Sequence, residues 1–482
     1  MAAGIVSWGS YLPHWRLSRQ SIGTALGTSS GARGQRSVAS HDEDTTSMAI
    51  EASRRALAMV ELAPQFLAFA TSTPAYLDKT NATAIHAALG LDGNRPAFDL
   101  GGAVRSGIGT LTVGQAWAEL GRPGLVAIAD MRNGLPGSAD EVEGADGAVA
   151  FMMGSDRAVA EVVASAHMTE EFLDRWRSRT AATSSRWEER FGEHAYLPLG
   201  TAAVAEVLGR AQLALADIDY VVVAGSHPRA VGQLPKLLGC NPDAVCGRVT
   251  ASIGAAGAAQ FGLELCEVLD RAAAGQTILL VSLADGADAF VLRTTPELAV
   301  LQANRSELGL PTLLDELSGG NQLAYHTFLT WREMLLREPP RRPDPSAPAA
   351  PPTLRSNRWK FGFTASRCLD CGTRHLPPAR KCVGCHAVDR MSPERLAEVS
   401  GTVATFTIDR LAYSLSPPVV AAVIDFDGGG RFACELTDLE PDEARIGLRV
   451  EMTFRRLYSA GGIHNYFWKA KPAQISTSTK VG

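Results

Sequence analysis

Leu125-Val-Ala-Ile-Ala-Asp130 returns 155 residues later as Leu280-Val-Ser-Leu-Ala-Asp285. Both stretches read as buried strands, short aliphatic runs closed by an Asp. Each is followed by a second apolar strand: Gly144-Ala-Asp-Gly-Ala-Val-Ala-Phe151 after a loop, and Gly286-Ala-Asp-Ala-Phe-Val-Leu292 at once. A helix of small residues precedes each, Arg105 to Leu120 in one copy and Ala255 to Ala273 in the other. Helices rich in Gly and Ala let neighbours come close, which suits a layer covered on both sides. The order, met twice, predicts a duplicated α/β unit whose two apolar sheets sandwich buried helices. One half spans residues 1–165 and the other 166–300. The competing reading is that strand–helix–strand order recurs by chance in α/β proteins.

A chain of 482 residues exceeds one core, so two or three domains are expected. Hydrophobic residues make up 46% and charged residues 20%, ordinary for a soluble globular protein. Net charge is −5, so no basic field for nucleic acid or anionic lipid is implied. Met1-Ala-Ala-Gly-Ile-Val-Ser-Trp8 lacks the basic-then-apolar order of a signal peptide. Nowhere do about eighteen apolar residues run together, so no membrane span is predicted. The eight cysteines fit a reducing compartment, which predicts a cytoplasmic protein.

Around the repeat, Ala3 to Ser7 reads as a strand and Asp44 to Met59 as a helix capped by Asp44. Met168 to Tyr196 is polar and carries Trp176 and Trp187, the composition of an insertion. Asn321 to Arg337 reads as an amphipathic helix (Leu323, Phe328, Trp331, Leu335), and Pro339 to Pro352 as an extended linker, together residues 321–353. Cys368-Leu-Asp-Cys371 and Cys382-Val-Gly-Cys385 follow, with ten residues between them. Two such knuckles supply four thiolates to one tetrahedral Zn²⁺ with no open position, so the metal is expected to be structural, in a ribbon over 354–395. Alternating strands come next at Gly401 to Ile408, Val419 to Phe426, Phe432 to Leu436 and Arg449 to Arg455, with Gly428-Gly-Gly430 as a hairpin turn. They predict a small OB-type barrel over 396–475.

Three N-terminal motifs, Gly4-Ile-Val-Ser-Trp-Gly-Ser-Tyr-Leu-Pro13, Ala39-Ser-His-Asp-Glu-Asp-Thr45 and Ser226-His-Pro228, resemble the HMG-CoA synthase branch of the thiolase superfamily. The knuckles with the barrel resemble the OB-fold, rubredoxin-like zinc-ribbon proteins that accompany thiolase-like enzymes. The resemblance covers roughly residues 3–295 and 321–472. It implies thiolase-like αβαβα layers, a homodimer, and an acyl-CoA or acyl-carrier-protein substrate whose coenzyme A or phosphopantetheine lies in a tunnel. Family members resemble one another in a Cys nucleophile at a buried helix start, a His and, in many, an Asn. The helix N-terminus lowers the thiol pKa and the thiolate takes the acyl group.

Here the nucleophile's place, in Phe98-Asp-Leu-Gly-Gly-Ala-Val-Arg-Ser-Gly107, falls on Val104, and no Cys precedes Cys240. The Asn segment reads Ile253-Gly-Ala-Ala-Gly-Ala-Ala259, which puts Ala255 in the Asn position. Only His227 matches, in Val221-Val-Val-Ala-Gly-Ser-His-Pro228, as general base or as donor to a thioester oxygen. Ser106 is a candidate nucleophile or a helix cap; Arg105 and Arg132 bind a carboxylate or CoA phosphate or lie at a surface. Glu188, Glu189 and Tyr196 read as solvated insertion residues, and Asp42, Glu43 and Asp44 as structural carboxylates at a helix start. Cys240 and Cys246 are migrated nucleophiles or inert buried thiols.

The implied function is thioester-dependent carbon–carbon bond formation or acyl transfer without a Cys nucleophile. Aldol or retro-aldol cleavage of a CoA thioester is one alternative. A non-catalytic partner of an active thiolase-like subunit is another. Nucleic-acid binding by the barrel is disfavoured by Asp425, Asp427, Glu435, Asp438, Glu440, Asp442 and Glu443.

Overall fold

The computed structural model describes residues 3–28, 33–341, 343 and 345–473. Met1 and Ala2 of the expected first half, Arg342 and Asp344 of the linker, and Gln474 and Ile475 of the barrel lie outside the described residues. The chain forms two compact units. The first holds the residues up to Ala39, Asp44–Thr83 and Gly93–Phe328; the second holds Ser40–Glu43, Ala84–Asp92 and the residues from Leu329 on.

The first unit is built on ten strands: β1 (Gly4–Tyr11), β2 (Leu67–Thr71), β3 (Ala97–Gly101), β4 (Gly124–Met131), β5 (Asp146–Gly154), β6 (Ala160–Met168), β7 (Tyr220–Gly225), β8 (Val245–Cys246), β9 (Thr277–Leu283) and β10 (Ala287–Thr294). Their order is β8-β7-β9-β10-β6-β1-β5-β4-β2-β3. From the centre outward, each half runs first, fifth, fourth, second, third strand, with the same parallel and antiparallel pairings. The duplication read from the two Leu-to-Asp stretches is therefore present: they form β4 and the strand-and-turn of β9. The halves meet through two residue pairs, Gly4 with Glu161 and Ile5 with Ala160.

Helices complete the layers. α1 (Thr45–Ala58) covers β1, β5 and β4, and α3 (Glu189–Ala211) covers β6, β10 and β9. The two expected sheets are joined by the pairing of β1 with β6 into one ten-stranded sheet, and between its halves run α2 (Ser106–Glu119), against β2, β4 and β5, and α5 (Gln260–Arg271), which touches β1 and β5 of one half and β7 and β9 of the other. A helix pressed from both sides buries every face, and Gln260 to Leu269 are all buried. Small residues permit the approach: a Cβ at Gly107 of α2 would lie 2.3 Å from the Ala258 carbonyl oxygen. The expected helix start is also present, since Asp44 accepts from the Ser47 N–H at 2.9 Å and Ser47 answers in a capping box.

The segment 321–337 departs from its periodicity. Asn321–Gln322 pairs as a short parallel strand with Trp15 and Arg16, leaving helix only over Tyr325–Trp331. Glu333 adopts φ +60, which a continuing helix does not allow. Within the expected linker, Ala350–Arg355 is helical because Pro351 and Pro352 sit in the first turn, where a missing N–H costs nothing.

In the second unit, β11 (Thr364–Cys368), β12 (Arg374–His375) and β13 (Met391–Arg395) form a three-stranded sheet. A closed barrel follows: β14 (Gly401–Asp409), β15 (Val419–Phe426), β16 (Arg431–Leu436), β17 (Arg449–Ala460) and β18 (Ile463–Pro472), in the order β14-β15-β16-β18-β17. β18 completes a barrel of which the alternation pattern marked four strands. Arg455 on β17 is fully buried and meets Glu43 at 2.9 Å, Asp42 at 3.3 Å and Asp438; Lys469 on β18 reaches Asp42 at 2.9 Å and Glu435 at 2.7 Å. Asp42 and Glu43 are thus structural, but as ion-pair partners rather than as charges at a helix start. Burial opposes ionisation of Asp42, yet Lys469 and Arg455 outweigh it and hold the carboxyl well below the usual range. No helix of the described residues is long and apolar enough to cross a membrane.

Candidate functional site

Arg132, just past the end of β4, and Asp285, just past the end of β9, line one cavity, and strand ends are where α/β folds place their sites. Asp130, at the end of β4, is buried and accepts from Ser72 N–H at 3.1 Å, Thr73 Oγ1 at 2.8 Å and Ala258 N–H at 2.9 Å. It ties the loop after β2 to the turn before α5. Asp285, its counterpart after β9, sits in the left-handed region at φ +48, a conformation that needs a tight turn. The cavity has a volume of about 60 Å³ and is lined by Ser72, Gly102 to Val104, Arg132, Arg175 to Arg177, Ser184, Ser226 and Asp285.

The polar insertion roofs this cavity. Arg175–Trp176 and Ser185–Arg186 pair as a two-stranded hairpin, and Trp176 and Trp187 pack at 5.9 Å. Arg175 grips Asp140 with two 2.7 Å hydrogen bonds. Burial works against the Asp140 carboxylate, but Arg175 outweighs it and holds its pKa down. Arg177 donates to the Ser72 carbonyl and has no carboxylate partner among the described residues. Arg132 donates to Ser72 Oγ at 2.9 Å, and burial pulls its guanidinium below the usual arginine range.

Val104 and Arg132 line one cavity, and Arg105, Ser106, Ala255 and His227 are not among the residues that line it. Arg105 spends four of its N–H donors on Asp288, the Asp285 carbonyl and the Met168 carbonyl, so it acts as a brace between the halves. Ser106 opens α2 with no base hydrogen-bonded to its Oγ among the described residues. Ala255 forms a backbone bridge to Gly144. Cys240 is half-buried and Cys246 is buried, and burial pushes the Cys246 thiol up to about 11; neither lines the cavity.

His227 caps α4 (Pro228–Leu238): Nδ1 accepts from the Ala230 N–H at 3.1 Å, which leaves the proton of the neutral ring on Nε2. The ring is buried, and α3 passes so close that a Cβ at Gly192 would lie 2.5 Å from its Cδ2. Tyr196 is not the solvated insertion residue its neighbours suggested. It sits within α3, fully buried, its hydroxyl 3.2 Å from Ser226 Oγ and accepting from the Asp285 N–H at 3.2 Å. Burial pushes its pKa up to about 12, with Ser226 and Asp285 N–H opposing. Glu188 is exposed, as expected. Sequence reasoning missed Tyr196, Arg175, Arg177 and Asp285 as site residues; for Asp285 the repeat itself was the available signal.

The second unit holds a separate centre. The Sγ atoms of Cys368, Cys371, Cys382 and Cys385 all lie within 4.8 Å of one another, with Cys371–Cys382 at 3.4 Å and Cys368–Cys385 at 3.6 Å. Four thiolates at 2.3 Å from a tetrahedral zinc stand about 3.8 Å apart, close to these separations. The N–H groups of Gly384 and Cys385 point at Cys382 Sγ at 3.3 and 3.5 Å, as donors do toward a metal-bound thiolate. The residues fit the ion.

Comparison with known proteins places both parts. The family model "ChsH2, C-terminal OB-fold domain" matches residues 394–455. A hydroxymethylglutaryl-CoA synthase of Pyrococcus furiosus is 31% identical over 295 residues, 59% of this chain and 83% of that protein. That of Pyrobaculum aerophilum is 29% identical over 346 residues, 69% of this chain and 98% of its own. Among solved structures, MvaS in complex with 3-hydroxy-3-methylglutaryl coenzyme A superposes with TM-score 0.59 at 18% identity, over 72% of this chain and 94% of that one. FabH, a 3-oxoacyl-(acyl carrier protein) synthase III from Pseudomonas aeruginosa, gives 0.54 at 23% identity, over 61% and 99%. These structures share the layered thiolase-like fold.

Proposed function

This chain belongs to the hydroxymethylglutaryl-CoA synthase family, and from that premise we propose that it makes or breaks a carbon–carbon bond in an acyl thioester without an acyl-enzyme intermediate. The observation that carries this is the lining of the cavity. Val104 stands in the nucleophile's place, while Ser72, Ser226, Arg132, Arg177 and Asp285 keep the remaining wall polar. A cavity that had merely lost its use would be free to fill with apolar side chains. Without a thiolate, the chemistry open to such a wall is removal of an α-proton and addition of the resulting enolate to a carbonyl, or the reverse aldol cleavage. His227, with its ring 5.9 Å from that of Tyr196, positions the Tyr196 hydroxyl, which meets Ser226 Oγ at the cavity wall at 3.2 Å, to polarise the thioester oxygen.

Coenzyme A or a phosphopantetheine arm carries the acyl group in this reading. Cys368, Cys371, Cys382 and Cys385 hold a structural zinc, which supplies folding energy to the ribbon and no catalytic position. The outer edge of β3, which ends the sheet, supports a homodimer, and the reducing environment implied by the thiols supports a cytoplasmic location.

One observation favours a second reading, a non-catalytic partner of an active thiolase-like subunit. About 60 Å³ admits a few waters or the reacting end of an acyl chain, far short of the roughly 300–1,000 Å³ that enclose a ligand whole. The test is turnover of an acyl-CoA panel by wild type and His227→Ala, with coenzyme A binding measured by calorimetry. Turnover by wild type that falls in the variant supports the enzyme. No turnover, with a Cys-bearing thiolase-like protein co-purifying, establishes the partner.

A further inference from the structure

Asp285 is the one carboxylate lining the cavity, and among the described residues its side chain accepts no hydrogen bond and forms no ion pair. The charged groups around it are engaged elsewhere. Asp130 is held by Ser72, Thr73 and Ala258, Asp140 by Arg175, Asp288 by Arg105 and His167, and Arg132 and Arg177 by Ser72. The backbone of Asp285 is fixed as firmly as its side chain is free. Its N–H is held by Tyr196, its carbonyl by Arg105 at 2.7 Å, and its φ of +48 is one a non-glycine residue adopts only when its surroundings impose it. A carboxyl held by a rigid turn in the wall of a polar cavity that Val104 also lines is the arrangement of an acid–base group.

Resting on the thioester reading above, we propose that Asp285 is the catalytic residue that removes and returns the proton. Its carboxylate takes the α-proton of the thioester, and the C–H pair becomes an enolate with its charge on the thioester oxygen. The enolate carbon then bonds to the carbonyl carbon of an aldehyde or ketone acceptor. The acceptor's oxygen receives the π pair and the proton from Asp285, which returns to the carboxylate. Run in reverse, the same steps cleave a β-hydroxy thioester. No proton, electron or co-reactant is left over. The surroundings suit a group that must hold a proton between steps. Burial and the neighbouring Asp174 raise the Asp285 pKa, while Arg105 opposes them, Glu171 adds to the rise and Arg175 to the opposition. Tyr196 faces the same turn from α3 through its hydroxyl.

The experiment is deuterium uptake at the α-carbon of acetyl-CoA and acetoacetyl-CoA in D₂O, followed by mass spectrometry, for the full-length wild type, Asp285→Asn and Asp285→Glu. Asn accepts the left-handed backbone at least as well as Asp, so Asp285→Asn keeps the turn; an unchanged melting temperature and calorimetric thioester binding check this. The expected result is exchange by wild type, a loss of about a hundredfold or more in Asp285→Asn, and partial recovery in Asp285→Glu. Undiminished exchange in Asp285→Asn overturns the assignment and leaves the thioester reading standing. Binding without exchange in wild type does the same. Absence of both binding and exchange removes the thioester reading and Asp285 with it.

Discussion

Arg455→Met tests whether the buried ion cluster holds the second unit together. The substitution keeps the volume of the side chain and removes its charge. Asp42, Glu43 and Asp438 then lose the Arg455 guanidinium, and Asp42 keeps Lys469 and the Thr437 hydroxyl. Arg455, Asp42 and Glu43 are each at most 1% exposed, so water does not replace the lost partner. Stripping one member from a buried ion pair costs about 3–5 kcal/mol. At about 2–4 °C per kcal/mol for a unit of this size, the melting temperature falls by roughly 6–20 °C. Differential scanning calorimetry at pH 7 reads it, in the transition that zinc removal also shifts. The sign with pH follows from Asp42. Its folded pKa is depressed, so its contribution is full above the unfolded value of about 3.9 and fades as pH falls through that value toward the folded one. The gap between wild type and variant is therefore widest near neutrality and narrows below about pH 4. Salt screens a buried pair little, so about 0.5 M NaCl leaves the gap in place. A shift under about 3 °C, or one that salt erases, refutes the reasoning.

Cys368→Ser removes one of four thiolates and is expected to lower zinc content by plasma emission from one per chain toward none, with loss of the ribbon's cooperative melting; full zinc retention counts against the four-thiolate centre. Gly107→Ala is expected to destabilise by about 1–3 kcal/mol in urea, because the new Cβ would sit 2.3 Å from the Ala258 carbonyl; without that contact the same change in a helix would stabilise by up to about 1 kcal/mol, so the sign decides.

The large features were legible because each rests on local chemistry. Apolar runs closed by Asp, repeated at long range, specify two equivalent halves, and four cysteines at knuckle spacing specify their own cluster. The start of α1 was legible in Asp44 for the same reason. What escaped reading depends on partners far along the chain. Tyr196 lies among Glu188, Arg190 and Glu193, and only the fold of α3 turns it inward. The helix expected over 321–337 is cut short because Trp15 and Arg16 offer Asn321 and Gln322 a strand partner. β18 was overlooked, although Gly461 and Gly462 before it, both at positive φ, mark the hairpin that introduces it. At the cavity, the resemblance read from the sequence pointed to Val104, but the arginines that roof it come from the segment least like its neighbours.

The two halves of the first unit also amount to a matched pair of specimens inside a single molecule. The same acid stands at two equivalent corners, and the copies differ in company rather than in kind: Asp130 is spent on scaffolding, and the Asp285 carboxylate stands in a cavity wall. Each corner serves as the other's reference, so removing the carboxylate at 130 should register in how firmly the protein holds its shape, and removing it at 285 in what the protein does to a guest.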